Sequence, residues 1–257
     1  MMIRYIPADP AGNLTAIVLS PVAAQDRAKI AAEMMARCPE GFEQVGFADE
    51  TSLTGDLPTL CMMGGEFCGN ATRAFACYAA KVRGRGETRL AVSVSGAREP
   101  VPVAVDLRQN RAYAQMPLPY ALEWISVNKQ KIPLVRMEGI DHALLLDAAP
   151  SPEAAERVLA AMPKQDARGV LFVQGGKMTP LVEVAATGTR VWESSCGSGT
   201  VALAWYLAQN LADGMHAFAF DEPGGRLEAR VAMRVGRAVQ IEMGGAVKLG
   251  EEAEIEL

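Results

Sequence analysis

Apolar and polar positions follow an order along this chain that recurs about half-way through it. Short, mostly apolar runs at 14–19 and 143–146 each predict a strand, and a more polar helical pattern follows each, over 23–38 and 152–162. Segments 71–82 and 199–212 are apolar on nearly every helical face and rich in Ala. They predict helices buried in a core, with neighbours packed closely. Alternating runs close each half: 89–94, 101–107 and 112–116 in the first, 217–220, 227–235 and 238–243 in the second. Pro117, Pro119 and Pro133 mark 113–133 as the join. A last strand at 252–257 is expected to pair back onto the first half.

The recurrence extends to residue identities. Cys68-Gly-Asn-Ala-Thr-Arg-Ala-Phe-Ala-Cys-Tyr78 returns as Cys196-Gly-Ser-Gly-Thr-Val-Ala-Leu-Ala-Trp-Tyr206, an offset of 128 (196 minus 68), with six of eleven positions identical. Gly12 to Leu19 matches Gly139 to Leu146 at Gly, Ala and the last Leu. The expected fold class is therefore α+β, with two pseudo-symmetric halves, each a curved mixed or antiparallel sheet wrapped around a central apolar helix. Residues 1–118 would carry Cys68, with 249–257 returning to them, and 119–248 would carry Cys196. The active site is expected in the cleft between the halves.

Composition narrows the function. With 257 residues, half of them apolar, the chain can bury a substantial core. A net charge of −5 offers no electrostatic case for nucleic acid or an anionic membrane, and no apolar run is long enough to span a bilayer. Five cysteines without a CxxC pair, and two histidines, make a poor metal set, so no metal is expected. An odd cysteine count behind a charged, proline-containing start, MMIRYIPADP, points to reduced thiols in the cytoplasm.

Chemistry concentrates at the two cysteine turns. Asn70 and Ser198 are favoured N-cap residues, with Thr72 and Thr200 in the first turn. A helix N-terminus exposes free N–H groups and about half a positive charge. Cys68 and Cys196 would then have lowered pKa values, and the N–H groups beside Gly69 and Gly197 would hold a substrate carboxylate. Two thiols, one ionised and one protonated, could remove an α-proton from one face of an amino acid and return one to the other. Cys38, Cys61 and Cys77 read as packing.

These motifs resemble the diaminopimelate epimerase family of racemases that work without pyridoxal phosphate. The resemblance spans the chain: Gly12-Asn13, Val45-Gly46-Phe47, Glu66 to Arg73, Gly139-Ile140-Asp141-His142-Ala143, Arg190-Val191-Trp192-Glu193, Ser195 to Thr200 and Met243 to Ala246. It implies catalysis by Cys68 and Cys196 without cofactor, with His142 and Glu193 positioning or tuning the thiols. Asn13, Gly69, Asn70, Gly197 and Ser198 would hold the substrate's amino and carboxylate groups, and a homodimer is expected. Departures bear on the substrate. Only Ser194-Ser195 separates Glu193 from Cys196, so the family's arginine for a distal carboxylate is absent, and Ile140 stands where an asparagine is expected. The wording is more similar to the histidine racemases of metallophore biosynthesis. An imidazole would suit an acceptor such as Glu43 or Asp49, both equally readable as surface carboxylates.

The expected activity is a cofactor-independent amino-acid racemase or epimerase, with histidine favoured as the small-molecule substrate. The alternatives are a diaminopimelate epimerase, a non-catalytic amino-acid-binding protein of the same fold, and a thiol redox protein.

Overall fold

The computed structural model describes residues 1–185 and 188–257. The fold is mixed α+β, dominated by sheet, with few helices. It divides into two compact units, Met1–Gln115 with Gly244–Leu257, and Met116–Met243.

In the first unit, β1 (Met2–Asp9) and β2 (Thr15–Val18) form an antiparallel pair. Helix α1 (Arg27–Arg37) carries the chain across to β3 (Gln44–Asp49), parallel to β2, and β4 (Thr59–Met62) returns antiparallel. A second crossover, α2 (Gly69–Val82), leads to β5 (Glu87–Val94), parallel to β4. Antiparallel β6 (Val101–Asp106) and β7 (Arg111–Gln115) follow. The 23–38 helix begins only at Arg27, after a 3-10 turn over Ala24–Asp26. Eleven of the fourteen α2 residues are buried, so its all-round apolar pattern meets protein on nearly every side. Ala71, Ala74, Phe75, Ala76, Ala79 and Ala80 share a core with Leu60, Val92, Val103 and Val105.

The second unit starts with a hairpin where proline had suggested only a join. Strands β8 (Ala121–Val127) and β9 (Gln130–Arg136) are linked by Asn128 and Lys129, whose φ of 51° and 66° suit a two-residue turn. Pro133 lies within β9. The ladder from β9 to β10 (Ile140–Leu146) covers only Leu134, Val135 and Arg136, so the missing N–H of Pro133 interrupts nothing there.

Helix α3 (Pro152–Ala161), capped by Ser151 accepting from the Ala154 N–H, crosses to β11 (Ala167–Gln174), parallel to β10. Antiparallel β12 (Lys177–Val184) and β13 (Thr189–Trp192) precede α4 (Gly197–Ala208). This helix stops short of the 199–212 pattern, where Gln209 turns its side-chain amide back onto the Trp205 carbonyl. Strands β14 (Gly214–Glu222) and β15 (Gly225–Arg234) pair antiparallel, and β16 (Arg237–Ala246) follows. Two short strands, β17 (Lys248–Leu249) and β18 (Ala253–Glu256), pair with β1 in the first unit.

Candidate functional site

The observed caps lie two residues before the expected ones. Cys68 and Cys196 are themselves the N-cap residues of α2 and α4, with extended backbones (φ −127°, ψ 113° and φ −123°, ψ 103°). Helical geometry starts at Gly69 and Gly197, which places Asn70 and Ser198 inside the first turn. The Cys68 sulfur takes the capping place, accepting from the Ala71 N–H at 3.5 Å.

Around Cys68 the neighbours are mainly amides. Its Sγ lies 3.1 Å from Gln44 Oε1 at the start of β3. Gln44 Nε2 donates to Asn13 Oδ1 at 2.6 Å and to Thr15 Oγ1 at 2.7 Å. Asn13 Nδ2 donates to Glu43 Oε2 at 2.9 Å, and Asn70 Nδ2 reaches Asn13 Oδ1 at 3.5 Å. Asn13, Glu43, Gln44, Cys68 and Asn70 are thus gathered in one network, and Gly69 lies between Cys68 and Asn70 in the chain. Asp49 is not part of it: exposed at the end of β3, it accepts from the Thr51 N–H and hydroxyl.

Behind this network lies an arginine that the sequence reading passed over. Arg73 is fully buried, and its guanidinium donates to Asn70 Oδ1 at 2.8 Å and to the carbonyls of Pro10, Ala112, Gly245 and Ala246. Its rigid fork of donors satisfies carbonyls from several segments and fixes the orientation of the Asn70 amide. Gln44 was missed too, because a lone glutamine beside a strand carries no local signal.

Around Cys196 the groups are more acidic. Ser198 Oγ sits 3.5 Å from Cys196 Sγ and 2.9 Å from His142 Nε2. His142 is fully buried on β10, and burial lowers its pKa to about 3, so the imidazole is neutral at ordinary pH. A Cβ at Gly169, on the neighbouring strand β11, would stand 2.1 Å from His142 Nδ1; only glycine leaves the ring its place. Glu193 stands near enough to the Cys196 thiol for its charge to raise the thiol pKa. Glu222, buried at the end of β14, accepts from the Cys196 N–H and the Thr200 hydroxyl, both at 2.6 Å. Glu222 lies 26 residues beyond the cysteine, and its burial at the helix start is decided by the β14–β15 hairpin.

The expected lowering of both thiol pKa values is corrected by burial. Desolvation pushes Cys68 up, opposed by the N–H groups of Ala71 and Asn70 and by Gln44. Cys196 is pushed well above the usual thiol value, first by burial and then by the charges of Glu193 and Glu222. The fractional charge of a helix end is outweighed where the thiol is taken out of water.

A thiol beside the N–H groups of a helix start, with polar side chains gathered round it, occurs in both units. The family model described as histidine racemase CntK N-terminal domain matches residues 2–255. The chain belongs to this family. It is 31% identical over 221 residues to a histidine racemase of Fusobacterium nucleatum, covering 80% of this chain and 81% of that protein. It is 26% identical over 239 residues to a histidine racemase of Staphylococcus aureus, covering 88% and 87%. A phenazine biosynthesis PhzF-family protein from Enterococcus faecalis shares the fold, with a TM-score of 0.66 at 16% identity over 100% of both chains. The chain is an isomerase of the amino-acid racemase class. Among the described residues no group of three or more His, Cys, Asp or Glu is gathered to hold a metal ion, and no helix is long and apolar enough to cross a membrane.

Proposed function

We propose that the protein racemises histidine by a two-base mechanism, with Cys68 and Cys196 addressing opposite faces of the α-carbon. The observation that carries this reading is the placement of each thiol as the N-cap of a largely buried helix. A thiolate takes the α-proton while the other thiol delivers its own, and the reverse reaction exchanges the roles. The N–H groups of Gly69, Asn70, Gly197 and Ser198 are the donors offered to the substrate carboxylate, where negative charge grows as the proton leaves. Asn13 offers an amide to the amino group, and Glu43, exposed and joined to Asn13, is the acceptor offered to an imidazole N–H. Histidine as substrate is supported by the family and by the two histidine racemases similar to this chain.

The same element order in both units supports an origin by duplication. In each, a strand is joined through a helix to a parallel strand, an antiparallel strand follows, and the cysteine helix comes next. The test is incorporation of α-deuterium from D₂O into L-histidine, with the enantiomers resolved afterwards. Absence of both exchange and D-histidine would overturn the assignment.

A further inference from the structure

The two thiols have unlike electrostatic surroundings, and the difference comes from groups outside the repeated motif. Cys196 faces two carboxylates: Glu193, whose charge raises the thiol pKa, and Glu222, whose oxygens hold the Cys196 N–H and the Thr200 hydroxyl at 2.6 Å. Glu222 places a buried negative charge on the start of α4 and so cancels the partial positive charge of that helix end. Ser198 faces the thiol as well, with neutral His142 behind it.

Cys68 faces Gln44 and the N–H groups of Ala71 and Asn70. Glu66, exposed, is the carboxylate that acts on it, and α2 carries the buried cation of Arg73 in its first turns. An amide accepts from a thiol through oxygen or, turned over, donates to a thiolate through nitrogen. An ionised carboxylate only accepts, and so requires the proton to be present.

We infer that the two thiols ionise in a fixed order, Cys68 before Cys196, and that Glu222 is a positioning residue that keeps the proton on Cys196. This rests on the two-thiol reading above. Once one of the two protons is lost, the protein is prepared to take the α-proton at Cys68 and deliver one from Cys196. A turnover in that direction leaves the proton on Cys68 and the charge on Cys196. The favoured arrangement returns when Cys68 gives up its proton and Cys196 gains one, through solvent or through a turnover in reverse. Burial pushes both thiols up, and the charges of Glu193 and Glu222 push Cys196 further, in accord with this order.

The experiment is a pH titration of the substrate-free protein with carbon-13 at the cysteine Cβ, read by NMR and assigned with Cys68→Ser and Cys196→Ser. Cys68 is expected to ionise at the lower pH. Glu222→Gln, which keeps an acceptor and removes the charge, should lower the Cys196 midpoint by about one pH unit, a tenfold gain in thiolate below it. It should leave Cys68 in place, and Glu222→Asp should keep the Cys196 midpoint high. Ionisation of Cys196 at or below the pH of Cys68, or no shift in a folded Glu222→Gln, would overturn the inference. If Glu222→Gln fails to fold, the order in the unsubstituted protein still decides it. No substrate enters the titration, so its failure is distinct from failure of deuterium exchange, which would sink the histidine assignment alone.

Discussion

The starts of α2 and α4 share a sequence motif and differ in what surrounds it. At α2 the polar partners are amides, and the buried charge is positive: Arg73, tied to Asn70 and to four carbonyls. At α4 the position 128 residues on from Arg73 is Val201, fully buried, and the buried charge is negative, from Glu222. A common thiol-and-glycine turn therefore occurs in both units. The unlike charges behind it make the two copies chemically distinct.

The sharpest way to break the comparison is to remove one thiol at a time. Cys68→Ser and Cys196→Ser should each lower histidine racemisation by about 10²–10⁴-fold, the range for loss of an acid–base group, with the circular-dichroism spectrum retained. Equal activity in either variant and the original would refute the pairing of bases.

Arg73 and Val201 are compared through stability. Arg73→Met strips donors from several buried carbonyls and should cost about 3–5 kcal/mol in urea unfolding. Val201→Ala removes only packing and should cost about 2 kcal/mol. A smaller loss at Arg73 than at Val201 would show that the arginine is not what ties its surroundings together.

His142 makes the second unit acid-sensitive. Its folded pKa, about 3, lies below the unfolded value of 6.5, so between these the unfolded chain binds a proton that the folded protein does not. Stability should fall as pH drops through this window, by about 1.4 kcal/mol per unit from this group. Urea titrations of the protein and of His142→Gln at several pH values measure it, and the variant should show a shallower slope. An equal slope would place the acid sensitivity elsewhere.

The smallest effect is expected from Gly169→Ala. The added methyl meets the His142 ring and should cost about 1–3 kcal/mol. Because the ring also holds Ser198, racemisation should drop as well; a fully active, equally stable variant would show that the imidazole is free to move.

Much of this was legible along the chain. The two cysteine helices announced themselves by being apolar on nearly every face, and the burial of eleven α2 residues follows from that pattern. Asn13, Glu43 and Asn70 do meet Cys68 in one network. The β8–β9 hairpin was hidden because proline reads as a break unless the ladder is known, and Asn128-Lys129 is a weak turn signal beside it. Asp49 looked like Glu43 on paper, yet its carboxylate is taken by Thr51.

The sequence by itself determined the repeated thiol turns, the buried helices behind them and the family to which the chain belongs, since these depend on local periodicity and residue identity. Tertiary structure decided the environment of each thiol. Gln44 reaches Cys68 from 24 residues away and Glu222 reaches Cys196 from 26, each delivered by a strand. Burial outweighs the helix-end charge only once the surrounding strands have excluded water. Charge and solvation act through space, and neighbours in space are set by the fold.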